Sequence, residues 1–211
     1  MKKLTMFLFG VVLIFGLTTN ASAIPFYFDK LETNTELPGS QFSGEVTSDV
    51  AGQVGFTISN SGPTFCTIFT VYFDDSLAVL SDFLNLSFLG SQGSFYAANN
   101  SGTLSGGQNA DPPFANPADW VVDRLGAAAN GVDPDEALTI TFSAEFNPVI
   151  TALELGDLRI GLHVGRIGFE EKSDSFITTG APIPEPATML LMGFGLFGLG
   201  VFGRKKFLKS A

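Results

Sequence analysis

The chain has 211 residues, with 11 basic against 21 acidic side chains, a formal net charge of −10 and 45% hydrophobic residues. That length suits one domain with a proper core, and the acidic balance disfavours nucleic acid and anionic membrane surfaces as partners. Cys66 is the single cysteine, so an internal disulfide is excluded.

The first residues, Met1-Lys2-Lys3, precede an apolar run from Leu4 to Leu17 and then Ala21-Ser22-Ala23. A basic start, a short apolar core and an A-x-A site predict a secretory signal peptide over residues 1–23. Signal peptidase would cut after Ala23, leaving Ile24 as the mature start. Without Lys2, Lys3, Arg204, Lys205, Lys206, Lys209 and Glu185, which belong to the terminal signals, 5 basic and 20 acidic residues remain. The body, residues 24–182, therefore carries about −15, a charge that solubility explains and that divalent cations could also use.

The body reads as strands. Gln53 to Asn60 alternates, with Val54, Phe56 and Ile58 on one face, and Asn60-Ser61-Gly62-Pro63 follows as a turn. Phe65 to Phe73 is the next strand, with Phe65, Phe69, Val71 and Phe73 on one face and Cys66, Ile68 and Tyr72 on the other. Apolar residues on both sides predict a central strand, in which Cys66 is a small buried side chain. Asp74-Asp75-Ser76 breaks it, and Leu77 to Leu80 and Phe83 to Leu89 are shorter strands. Gly90 to Ala118 is a long loop rich in Gly, Ser, Asn and Pro, with Phe95 and Tyr96 tucked against the body. Trp120 to Val122 starts a strand and Gly126 to Glu136 is a second loop.

Ala137 to Phe146 has the clearest alternation: Leu138, Ile140, Phe142, Ala144 and Phe146 one way, Thr139, Thr141, Ser143 and Glu145 the other. Asn147 as N-cap, Pro148 at the first position and Gly156 as the stop predict a short helix. In Leu158 to Val164, Leu158, Ile160, Leu162 and Val164 point inward, Arg159, Gly161 and His163 outward. Ile167 to Phe169 and Ser175 to Thr178 close the sheet. About eight strands and 22 phenylalanines predict a mainly β fold, an antiparallel β-sandwich with one short helix.

Candidate sites in the body are few. A Ser-His-Asp triad would need His163, the single histidine, as its base, but it sits at an outward strand position and no G-x-S-x-G elbow exists. One His and one Cys do not assemble a zinc site. Calcium could use Asp74-Asp75, Asp133-Pro134-Asp135-Glu136 or Glu170-Glu171, none with EF-hand spacing, and turn chemistry alone explains aspartates there. Glu145 is a lone candidate carboxylate for glycoside hydrolysis. Trp120, Tyr72 and Tyr96 could stack on sugars or serve as core. No catalytic residue, cofactor or metal site is assigned.

The other organised stretch is residues 183–211. Pro184-Glu185-Pro186 is stiff and extended. Ala187 to Gly203 has no charged residue and as a helix would reach roughly 25 Å, at the short end for a membrane span. Arg204, Lys205 and Lys206, with Lys209, form a basic end over residues 204–211, which the positive-inside rule keeps cytoplasmic.

This arrangement resembles the PEP-CTERM sorting signal of Gram-negative bacteria: a Pro-Glu-Pro motif, a short transmembrane helix and a basic cluster. Ile183 stands where Val is common. The resemblance implies recognition, with cleavage near the motif, by a membrane protease-transpeptidase called exosortase, in a setting of exopolysaccharide and biofilm export. Leu158 to Val164, with Ser173-Asp174-Ser175-Phe176, also resembles a segment of small PEP-CTERM proteins, a family with no assigned activity to carry over. The sequence thus predicts an exported surface or matrix protein, not an enzyme. It would be anchored transiently in the inner membrane by residues 187–203, with exosortase, signal peptidase and exopolysaccharide as partners. A carbohydrate- or calcium-binding surface module is the alternative, and a secreted hydrolase a more distant one.

Overall fold

The computed structural model describes residues 23–168 and 172–179. Ten strands run in chain order: β1 Ala23–Lys30, β2 Phe42–Thr47, β3 Gln53–Asn60, β4 Thr67–Asp75, β5 Phe83–Leu89, β6 Phe95–Ser101, β7 Ala118–Arg124, β8 Glu136–Ser143, β9 Leu158–Ile167 and β10 Lys172–Thr179. One α-helix, α1 Phe146–Leu155, joins β8 to β9. The strands form a single antiparallel sheet in the order β5-β8-β3-β2-β1-β10-β9-β4-β7-β6. Mainly antiparallel β structure with one short helix is as expected. The two layers of the sandwich, however, belong to one continuous sheet that folds over on itself, nearly as a barrel.

Phenylalanine drives the fold-over, because a ring on the inner face of one layer reaches the opposite layer. Phe56 of β3 meets Phe73 of β4 edge-on at 5.3 Å between centroids, and Phe142 of β8 meets Phe73 at 5.1 Å and Trp120 of β7 at 5.4 Å. Phe88 of β5 touches Phe95 of β6 at 5.5 Å, so the two ends of the sheet lie close across the layers. Val54, Phe56, Ile58, Leu138, Ile140, Phe142, Leu158, Ile160, Leu162 and Val164 are fully buried in this core, as their alternation predicts.

Several expectations change. The segment before Gln53 supplies two further strands, β1 and β2, whose alternating Phe26, Phe28, Phe42 and Val46 are buried. Leu77 to Leu80 is not a strand: the Asp75 carboxylate accepts the N–H groups of Val79 at 3.0 Å and Leu80 at 2.8 Å, donors that a ladder would have needed. Part of the predicted Gly90 to Ala118 loop is β6. In β4 a bulge between Ile68 and Thr70 reverses the alternation. Ile68 therefore joins Val71 and Phe73 in the core, while Phe65 is 48% exposed and Phe69 packs on the outer side against His163. The helix starts at Phe146, with Glu145 rather than Asn147 at the N-cap and no side-chain cap bond. Pro148 still lies in the first turn, where no N–H is required. Gly156 ends the helix at φ 79°, its N–H donating to the Ala152 and Leu153 carbonyls. Phe169 lies outside the described residues.

Candidate functional site

The predicted sorting residues Pro184, Glu185, Pro186, Arg204, Lys205 and Lys206 lie outside the described residues, as do Glu170 and Glu171. Ala23, the predicted cleavage residue, opens β1 opposite Thr47 of β2. Function in the body must therefore be sought on the two outer faces of the folded sheet, which the fold treats differently.

The outer side of β10-β9-β4-β7 is covered by a strap, the connection from Gly102 to Pro117. Leu104 and Phe114 pack beneath it against Tyr72, Ala118 and Val121, forming a second small core with Leu31 and Ile177. The strap crosses β9 at Gly161, where a Cβ would stand 2.6 Å from a Leu104 methyl; this explains the glycine at an outward position. Arg159 is the clamp. Its guanidinium donates to the carbonyls of Pro112 and Pro113 and to the Asp74 carboxylate, and it lies 5.4 Å from the centre of the Phe114 ring. Asp74 in turn accepts the Ala115 N–H at 3.1 Å. Both charged partners are nearly buried, so the pair is matched and hydrogen-bonded as burial requires.

Beside the strap, one cross-strand row contains Ser175, His163, Thr70, Asp123 and Tyr96. These are the residue types of a nucleophile-base-acid series, but they are connected otherwise. The Thr70 hydroxyl donates to Asp123 at 2.8 Å and Tyr96 reaches the same carboxylate at 3.4 Å. The Ser175 hydroxyl is fully buried without a hydrogen-bond partner. A nucleophile must be hydrogen-bonded to its base and open to substrate; Ser175 has neither property. His163 rests edge-on against Phe69 at 5.7 Å, and burial lowers its pKa, against the raising effect of Asp123 and Glu32. A lowered pKa favours the neutral ring at physiological pH.

The other candidates are occupied by the fold. Asp75 forms the turn described above, and burial raises its pKa. Asp133 accepts from Thr67 and pairs with Arg166 at 3.6 Å, while Glu136 accepts the Asp133 N–H at 2.9 Å. Among the described residues, no three His, Cys, Asp or Glu side chains converge as a metal would need. Glu145 is exposed. Trp120 packs on Phe142, Tyr72 belongs to the strap core, and only Tyr96 of the three aromatic candidates is substantially exposed, at 43%. Cys66 is fully buried. Burial pushes its thiol up to about 11, so it is an inert structural side chain.

Among the described residues, no strap covers the outer side of β5-β8-β3-β2-β1. Three registered rows cross it: Asn85-Thr141-Gly55-Thr47-Ala23, Ser87-Thr139-Thr57-Glu45-Pro25 and Leu89-Ala137-Ser59-Ser43-Tyr27. Hydroxyls dominate, the Thr57 and Thr139 hydroxyls are 2.9 Å apart, and Glu45 is the single charge in the three rows. Shallow grooves of ≈ 180 Å³ and ≈ 340 Å³ run along it, smaller than or at the low end of the roughly 300–1,000 Å³ typical of small-molecule pockets. Alternation predicts Thr139 and Thr141 outward, but the surface itself is not legible in the sequence, because the rows exist only after five strands pair. The hydroxyl residues recurring at alternate positions of β3 and β8 were the available signal.

No curated protein matches the chain. A solved structure described as "pH-induced modulation of Streptococcus parasanguinis adhesion by Fap1 fimbriae" is similar over 79% of this chain and 92% of its own, at 12% identity and a TM-score of 0.42. A score that low carries no argument about fold or function. Residues 182–206 match the family model of the PEP-CTERM protein-sorting motif. The chain is thus a PEP-CTERM motif-bearing protein, marked for export and membrane-associated sorting to the cell surface, and the motif implies processing by the membrane protein exosortase.

Proposed function

We propose that this is a non-enzymatic structural or matrix-associated protein of the cell surface, working in an exopolysaccharide or biofilm setting. The sorting motif at residues 182–206 is the observation that carries the proposal. Signal peptidase cuts after Ala23. Residues 187–203 hold the chain in the inner membrane, with the body outside the cytoplasm and Arg204, Lys205 and Lys206 inside. Exosortase then acts near Pro184-Glu185-Pro186. The engagement of the body's buried acids by its own backbone and side chains supports a structural role.

The test follows the tail by mass spectrometry in an exosortase-bearing host. The mature surface protein is expected to begin at Ile24 and to lack Phe207 to Ala211. Alanine at Pro184, Glu185 and Pro186 should leave the chain membrane-bound and unprocessed. A mature surface protein that still carries Phe207 to Ala211 would make the tail a permanent anchor and end the sorting proposal.

Carbohydrate binding is the second reading, favoured by the three hydroxyl-rich rows, in which Glu45 is the single charge, with Tyr27 49% exposed at their edge. Retention of the full chain on the exopolysaccharide of its own matrix, lost on replacing Thr57, Thr139 and Thr141 by valine, would move the conclusion there. Unchanged retention in that variant would remove this surface as the reason.

A further inference from the structure

β10 is the last strand along the chain, yet it stands in the middle of the sheet. It lies between the group β5-β8-β3-β2-β1 and the group β9-β4-β7-β6, and among the described residues no other strand is hydrogen-bonded to both. Its partner on one side is β1, the first strand. Its side chains also reach both groups. Phe176 is fully buried and meets Phe42 of β2 edge-on at 4.9 Å between centroids. Ile177 packs in the strap core, and the Thr178 hydroxyl accepts the Ile160 N–H of β9 at 3.0 Å. Asp174 is fully buried, pairs with Lys30 of β1 at 3.0 Å and accepts the Asn34 N–H at 3.0 Å. Without β10, β1 and β9 each keep an unpaired edge, Lys30 lacks Asp174, and both cores lack a side chain.

We propose that β10 is a closing strand, which defers folding of the body until the tail is exported. This rests on the reading of residues 187–203 as the membrane anchor. Residues 180–186 separate Thr179 from that segment, and fully extended they span at most about 25 Å. That is less than the roughly 30 Å of a hydrocarbon core, so the anchor already lies in the membrane when Thr179 clears it. Until then the two groups have no hydrogen-bonded seam. Joining the first strand to the last also closes a very long loop, a slow kind of pairing. The body thus crosses the membrane unlocked and locks when its sorting motif arrives.

Cys66 reports closure, because it is fully buried where the groups meet, just before β4. The Gln41 amide, just before β2, donates to its sulfur at 2.9 Å, and the Asn60 amide, at the end of β3, donates to its carbonyl at 3.1 Å. A translational arrest sequence appended to the full chain, through a short or a long cytoplasmic spacer, stops export at two points. At the first, Ile167 is clear of the membrane and β10 is still behind it; at the second, residues 187–203 are in the membrane. A maleimide mass tag should reach Cys66 as readily as in urea at the first point, and at least about tenfold more slowly at the second. A Gly/Ser insertion after Gly168 moves β1 to β9 away from the membrane without β10 and should leave Cys66 open at the first point. Protection there, with or without the insertion, would overturn the proposal, as would equal tagging at both points. Phe176→Asp in the completed chain should keep Cys66 open, and a protected Cys66 in that variant would overturn it too. A mature protein that retains Phe207 to Ala211 would end the sorting proposal without touching this result, because closure is read from Cys66.

Discussion

The two outer faces of this sheet come from similar strands and end up unlike. On β9 the outward positions are Arg159, Gly161 and His163, and the strap from Gly102 to Pro117 runs over the first two, with His163 beside it. On β3 and β8 the outward positions are Thr57, Thr139 and Thr141, and nothing among the described residues covers them. What differs is the fastening. Arg159 gathers two strap carbonyls and Asp74, and Gly161 leaves space for Leu104. The uncovered face has neither a charged clamp nor an apolar residue flanked by glycine in its central rows. Alternation decides which side of a strand faces the core; the identity of the outward residues decides whether that side also becomes interior.

The largest effect should separate the inner side of β8 from its bare outer side. Ile140→Asp or Phe142→Asp places an unpaired charge in the main core and should cost more than about 4 kcal/mol, enough to unfold many domains. Thr141→Asp on the uncovered face should cost no more than about 1 kcal/mol. Chemical denaturation of the three variants measures this, and equal losses would mean that the faces are assigned wrongly.

Next comes the clamp. Arg159→Ala leaves Asp74 buried without its counter-charge and frees two strap carbonyls, a loss of about 3–5 kcal/mol. Protease cuts should appear between Gly102 and Pro117. Thr139→Val removes one hydroxyl contact on the bare face and should cost about 1 kcal/mol or less. A strap that stays protease-resistant without Arg159 would show that Leu104 and Phe114 hold it alone.

A smaller contrast compares two glycines. Gly161→Ala drives a methyl group to 2.6 Å from Leu104 and should destabilise by about 1–3 kcal/mol. Gly55→Ala meets Thr47 at 3.2 Å and Thr139 at 3.6 Å, and relieves the backbone entropy of a strand glycine, so it should be neutral or stabilising by up to about 1 kcal/mol. Thermal melting of the two variants orders them.

The smallest effect is in pH. Burial holds the His163 pKa below its ordinary 6.5. A depressed folded-state pKa means that the contribution to stability is complete above about 6.5 and is lost as pH falls through the folded value. The melting temperature of the parent chain should therefore fall more steeply below pH 6.5 than that of His163→Gln. Parallel curves would place His163 in water rather than against Phe69.

The sequence by itself determined the elements whose signal is local. Val54-Phe56-Ile58, Leu138-Ile140-Phe142 and Leu158-Ile160-Leu162-Val164 announce strands because a period of two needs only neighbouring residues to be legible. Gly156 marks the helix end because a left-handed cap favours glycine. The Pro-Glu-Pro motif, apolar run and basic end are likewise contiguous, and the match over residues 182–206 covers that stretch as far as Lys206. Tertiary structure decided what depends on distant partners. Asp75 turned Leu77 to Leu80 out of a ladder by taking two N–H groups. The bulge beside Ile68 moved Phe69 to the outer side, and Phe95 found Phe88 and made a strand edge out of a predicted loop. The strap made Gly161 interior, and five strands had to pair before scattered Thr and Ser residues became one surface. Alternation fixes parity along a strand at no entropic cost, whereas cover, register and sheet order arise only when loops close and bring remote residues together.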